Sequence, residues 1–158
     1  MKVLFWLVIP LALIAGSAGA AQAEPDKKDS FLGPIITLVN GQTTVGIGGK
    51  LHITNNIAVR PSYSFANLSG SGVTVAGGSA TYEFEVKDSS LMPFVGFGVN
   101  SYNSNNGGQP ESLIAPFVQI GLDIAATEGI AITADIKVPI TSGTPLGTIL
   151  SVGGGYRF

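Results

Sequence analysis

From residue 31 onward, apolar and polar positions alternate with a period of two and show almost no helical periodicity. In the last segment Leu150, Val152, Gly154, Tyr156 and Phe158 share one face, and Ser151, Gly153, Gly155 and Arg157 the other. Ile130, Ile132, Ala134, Ile136, Val138 and Ile140 oppose Thr133, Asp135 and Lys137. Val118, Ile120, Leu122 and Ile124 oppose Gln119 and Asp123, and Tyr82, Phe84 and Val86 oppose Glu83, Glu85 and Lys87. Ile57, Val59 and Tyr63 oppose Arg60 and Ser62, while Val45, Ile47, Leu51 and Ile53 oppose Lys50 and His52. The pattern predicts eight strands, over 31–40, 43–53, 57–66, 79–87, 91–102, 114–126, 130–140 and 147–158.

The connections sort into two kinds. Residues 54–56, 88–90 and 127–129 have tight-turn composition. Residues 67–78 and 103–113 are polar and glycine-rich and are predicted as longer loops; 141–146 is intermediate, and 40–42 is short. Short turns on one rim, longer loops on the other and an even strand number predict an all-β, antiparallel up-and-down barrel with both termini on the turn rim. The short 40–42 connection breaks this pattern.

Composition decides what such a barrel is immersed in. The chain of 158 residues suits one domain, and only 11% of it is charged, against about 25% for a typical soluble chain. Mean hydropathy is +0.40, yet no internal stretch offers the roughly 20 apolar residues of a membrane-spanning helix. A closed barrel is the other spanning solution, so the eight strands are predicted to be transmembrane. Residues 1–23 read as a secretory signal peptide: Lys2, an apolar core from Val3 to Ile14, and Ala21-Gln22-Ala23 as the cleavage pattern. Residues 24–30 (EPDKKDS) read as a short periplasmic tail, and 31–158 as an outer-membrane barrel of a Gram-negative-type bacterium.

With the apolar face toward lipid, the lumen receives Lys50, Arg60, Glu83, Glu85, Lys87, Asp123, Asp135, Lys137 and Arg157. An eight-stranded barrel is just wide enough for side chains to fill, and buried charges need partners. The expected pairs are Arg60 with Glu83 or Glu85, Lys137 with Asp123, and Arg157 with Asp135. Phe65 and Tyr82 are expected at the loop rim, and Phe31, Tyr156 and Phe158 at the turn rim, as interfacial aromatics.

Little else in the chain carries chemistry. There is no cysteine, and a net charge of −2 gives no nucleic-acid footprint. The single histidine, His52, lies beside Lys50 and Thr54 with no nucleophile motif, so no catalytic residue is assigned. Glu83 and Glu85 share a face with Lys87 opposite Arg60, which favours an ion-pair network over paired catalytic carboxylates. No His or Cys cluster suggests a metal, and no helix follows the glycine runs at 46–49, 96–98 and 153–155, so no cofactor is expected.

The C-terminal SVGGGYRF and the strand–turn–strand KLHITNNIAVRPSYSF resemble the small outer-membrane barrel superfamily of opacity-protein, OmpA-like and OmpX-like barrels. The resemblance implies that Leu150, Val152, Tyr156 and Phe158 form an assembly signal read by the barrel-assembly machinery. It also implies outer-membrane lipids as partners. Lipopolysaccharide or surface ligands are candidate partners through residues 67–78 and 103–113, with a monomer as the expected state. The function expected is non-enzymatic, structural or surface-interacting. A narrow pore, a soluble lipocalin-like periplasmic carrier and a lipid-modifying enzyme are the alternatives.

Overall fold

A computed structural model describes residues 30–39, 41–68, 71–87, 89–106, 109–140 and 147–158. The expected signal peptide and nearly all of the expected tail lie outside the described residues. The strands are β1 (Phe31–Val39), β2 (Gln42–His52), β3 (Ile57–Leu68), β4 (Ser71–Glu83), β5 (Leu91–Asn106), β6 (Gln109–Thr127), β7 (Ile130–Pro139) and β8 (Ile149–Arg157). Each pairs antiparallel with its sequence neighbours, and β1 pairs with β8, so the sheet closes into a barrel. Closure removes every sheet edge over the paired length, which is what lets strands stand in hydrocarbon. Gly41, at a φ of 79°, makes the tight β1–β2 turn in a backbone region that favours glycine.

Two expectations fail at the loop rim. Residues 71–78, expected in a loop, are strand, paired residue for residue with β3 from Leu68↔Ser71 to Arg60↔Ser79. The expected 103–113 loop is largely a hairpin, in which β5 and β6 stay paired as far as Asn106↔Gln109. Small polar residues disfavour strands on average, but pairing with a neighbouring strand overrides that preference. At the turn rim the fourth strand ends at Glu83 instead of running to residue 87, and Phe84–Lys87 belong to the connection.

The outer face is apolar around the whole barrel. Ile36, Ile47, Tyr63, Ile120, Ile136 and Tyr156 all point outward and are exposed, and Phe97 and Ile114 are each 69% exposed. The inner face packs by complement between neighbouring strands. Phe94 lies opposite Gly121, and Phe117 opposite Gly98, in the β5–β6 register. A Cβ on Gly121 would run into the Phe94 ring and the Ala134 carbonyl, and one on Gly98 into Phe117 and the Gly78 carbonyl. Each ring therefore fills the space its partner glycine leaves. Ile35 does the same between Gly48 and Gly153.

Candidate functional site

Among the described residues the buried polar and charged side chains converge in the lumen, which is layered. At the loop end Val39, Val75, Tyr102, Ala115 and Ile149 form an apolar cluster, with Val73 and Leu113 packed against it. Beneath it is a layer of uncharged hydrogen bonds. Thr44 Oγ1 donates to Ser64 Oγ (3.1 Å), Ser79 Oγ to Gln119 Oε1 (2.6 Å), and Asn100 Nδ2 to the Tyr102 hydroxyl (3.3 Å). Lys137 lies in this region with its ammonium 5.5 Å from the Phe117 ring centroid.

Nearer the turn rim is the charged cluster. Arg60 on β3 meets Asp123 on β6 through both terminal nitrogens, Nη1–Oδ1 at 3.0 Å and Nη2–Oδ2 at 2.6 Å. Its Nη2 also donates to Glu83 Oε1 (2.7 Å), its Nη1 to Thr133 Oγ1 (3.5 Å) and its Nε to Thr81 Oγ1 (3.1 Å). A guanidinium has five N–H donors, and five contacts of this kind surround it here. Lys50 on β2 reaches Asp123 Oδ2 at 2.9 Å and Glu83 at 3.4 Å. Two cations and two carboxylates therefore balance, all nearly buried, with Glu83 only 1% exposed. The cluster is walled by rings: Arg60 Cζ stands 3.6 Å over Phe94, and Lys50 Nζ is 5.7 Å from Phe31.

His52 completes the cluster from the turn rim. Its Nε2 lies 2.8 Å from Glu83 Oε2. A carboxylate only accepts, so Nε2 carries the proton in this contact. The imidazole shares an inward face with Lys50, a parity visible in the sequence. Its partner is 31 residues away on β4, and only the register identifies it.

The remaining expected lumen residues fall differently. Glu85 and Lys87 are exposed outside the barrel, because the chain leaves the sheet after Glu83. Lys137 Nζ approaches Asp135 Oδ1 at 3.9 Å, not Asp123. It pairs in register with Gln119, and Asp123 is four residues further along β6, about 13 Å away. Arg157 does not pair with Asp135, whose register partner is Ser151. Its Nη1 donates to the Thr127 carbonyl at 2.7 Å, at the turn rim. Phe31 is 2% exposed and belongs to the lumen, not to an outer aromatic girdle. Tyr82 does face outward, but it pairs with Ile57 beside the 54–56 turn and so lies at the turn rim, where its ring packs edge-on against Phe84. Phe65, Tyr156 and Phe158 face outward as well. Phe94, Phe117, Asn100 and Tyr102 are inward residues that the sequence reading passed over. The signal for Phe117 was its shared parity with Gln119 and Asp123.

The large exposed hydrophobics cover the exterior, while the lumen is filled by side chains that include a buried charged cluster, the reverse of what an apolar-ligand carrier needs. Among the described residues no group of three His, Cys, Asp or Glu side chains could hold a metal ion. The chain matches the outer membrane protein beta-barrel domain family over residues 9–158. It belongs to that family. Of solved structures, the N-terminal β-barrel domain of Pseudomonas aeruginosa OprF is similar with a TM-score of 0.65 at 16% identity, covering 83% of this chain and 98% of the other. P. aeruginosa OprH is similar with a TM-score of 0.59 at 14% identity, over 82% of this chain and 99% of its own. Ail of Yersinia pestis follows with 0.52 at 17% identity, over 82% and 97%. At these identities the likeness is one of fold. No curated protein matches the chain by sequence. Family and fold together place this small barrel in the outer membrane.

Proposed function

We propose that this protein is a non-conducting, non-enzymatic barrel with a structural role, whose loop rim is its interaction surface. The observation that carries the reading is the double seal of the lumen. An apolar layer of Val39, Val75, Tyr102, Ala115 and Ile149 stands above a charge-paired layer of Lys50, Arg60, Glu83 and Asp123. A hydrated ion crossing the barrel must displace both, and clear aqueous channels are a property of barrels of about 16–18 strands. A lipid-modifying activity through His52 is disfavoured by the engagement of its Nε2 with Glu83, a carboxylate already held by Arg60 and Lys50. In the same reading the last strand, with Leu150, Val152, Tyr156 and Phe158 facing outward, is the segment offered to the assembly machinery.

Purified, refolded barrel added to a planar bilayer is expected to give no stepwise conductance. Regular steps from the native chain would overturn the sealed-barrel reading. Orientation is checked independently on intact cells with a membrane-impermeant maleimide, since the chain has no cysteine of its own. Thr148→Cys at the loop rim is expected to label and Thr54→Cys at the turn rim to stay protected. The reverse pattern would remove the loop rim as the exterior surface.

A further inference from the structure

Methionine occurs in this chain only at residues 1 and 92. Met92 is the second residue of β5, across from Asp123 on β6, and it shares the inward parity of Phe94. A small cavity stands beside it, on the turn-rim side of the charged cluster. Its volume is about 20 Å³, and Phe31, Lys50, Ser90, Met92, Asp123 and Arg157 are among the residues that line it. That is room for one molecule little larger than water. The lining brings Lys50, Asp123 and Arg157 together with one thioether side chain. Ser90 and Met92 are both partly exposed, so the cavity is reached from the turn rim.

Lys50 Nζ lies 4.0 Å from Met92 Sδ. An ammonium has three N–H donors. Asp123 at 2.9 Å and Glu83 at 3.4 Å take two of them. The third faces the thioether, a weak acceptor. Oxidation changes that partner. The sulfur lone pair of methionine attacks one oxygen of hydrogen peroxide, the O–O bond breaks, and the transferred oxygen gives its proton to the departing hydroxide. The thioether is oxidised by two electrons to a sulfoxide, and the peroxide is reduced to water. A polar sulfoxide ordinarily disrupts an interior. Here an oxygen added to Sδ on the side of Lys50 fills the gap to Nζ and accepts the third N–H.

We propose that the turn-rim cavity is a hydrogen peroxide site, in which Met92 is oxidised to the sulfoxide and Lys50 holds the product, so that the barrel takes up one oxygen atom without losing its fold. The test uses protein extracted from outer membranes into detergent and treated with dilute hydrogen peroxide. Intact mass and peptide mapping follow the uptake of oxygen. The folded native chain is expected to gain one oxygen atom, at Met92, at a rate within an order of magnitude of that of the urea-unfolded chain, and Met92→Leu to gain none. Slower uptake by the folded chain overturns the proposal, because the sulfur is then shielded from peroxide. The oxidised native barrel, moved into lipid vesicles, is expected to keep the urea midpoint of the untreated barrel. The charge-balanced double variant Lys50→Leu/Glu83→Gln lacks the receiving ammonium. There, oxidation is expected to shift the unfolding equilibrium by about tenfold, the worth of one hydrogen bond to a charged group. The same response in both chains, whether a loss or none, shows that Lys50 does not receive the oxygen and overturns the proposal. If the double variant does not fold, the native chain decides alone: a midpoint lowered by oxidation overturns the proposal, and an unchanged one supports it.

Discussion

Replacing Arg60 with alanine lowers the unfolding free energy of the barrel by about 3–5 kcal/mol, the cost of removing one partner from a buried ion pair. Arg60 is the hub of the lumen: its guanidinium binds Asp123 twice, Glu83 once and two threonine hydroxyls, and stacks over Phe94. Truncation leaves both carboxylates leaning on Lys50, with His52 also on Glu83. Urea unfolding in lipid vesicles, followed by gel mobility of unheated samples, measures the loss. The cluster acts as a unit, so Arg60→Met combined with Asp123→Asn is expected to cost less than the sum of the two single changes. Glu85→Ala, a residue with the same strand parity as Glu83 but outside the barrel, is expected to stay within about 0.5 kcal/mol of wild type. A loss below about 1 kcal/mol for Arg60→Ala would mean that water enters the lumen and solvates the carboxylates, which is incompatible with a sealed interior.

The contrast between Glu83 and Glu85 shows what alternation conveys and where it stops. Parity assigns a face only while the residue stays in the sheet. Glu83 is the last such residue in β4, and its backbone N–H already bonds to Asn56 at the turn. The sequence carries no mark at residue 84 that separates strand from connection. Phe31 fails for a different reason. In FLGPIITLV only Thr37 is polar, so the faces of β1 are nearly indistinguishable by hydropathy. The parity of Thr37 would have turned Phe31 inward, but an aromatic beside the rim suggested a girdle. The loop-side extensions of β4, β5 and β6 were hidden by composition, because serine, asparagine and glycine read as loop until cross-strand pairing is known. Lys50, Arg60 and Asp123 were legible as inward residues, but the choice of partners among them was not. Lys137 with Asp123 and Arg157 with Asp135 are neighbours in strand order. They are separated along the strands by four and six residues of register, about 13 and 20 Å. Strand order is a sequence property in an up-and-down barrel, whereas register at the level of single residues emerges only when all eight strands close together.

Ile120→Arg is the second large effect, and it tests which side of the wall faces lipid. Ile120 points outward from the middle of the apolar stretch of β6, 58% exposed, between Val95 on β5 and Ile136 on β7. An arginine near the midplane of a transmembrane barrel costs about 2–4 kcal/mol, and in vesicle unfolding the variant is expected to lose that amount. Gln119, the preceding residue, points inward and is 5% exposed, so the two positions report opposite faces. The size of the Ile120 effect also depends on depth: Ile114→Arg, closer to the loop rim and flanked by the outward Ser112, is expected to cost about 0–1 kcal/mol. A water-surrounded barrel gives a different pattern, since an exposed isoleucine replaced by arginine there shifts stability by no more than about 0.5 kcal/mol at either position and raises solubility. A graded loss, large at residue 120 and small at residue 114, follows only if a hydrocarbon layer surrounds the barrel and ends near Ser112, whose register partner is Asn103 on β5.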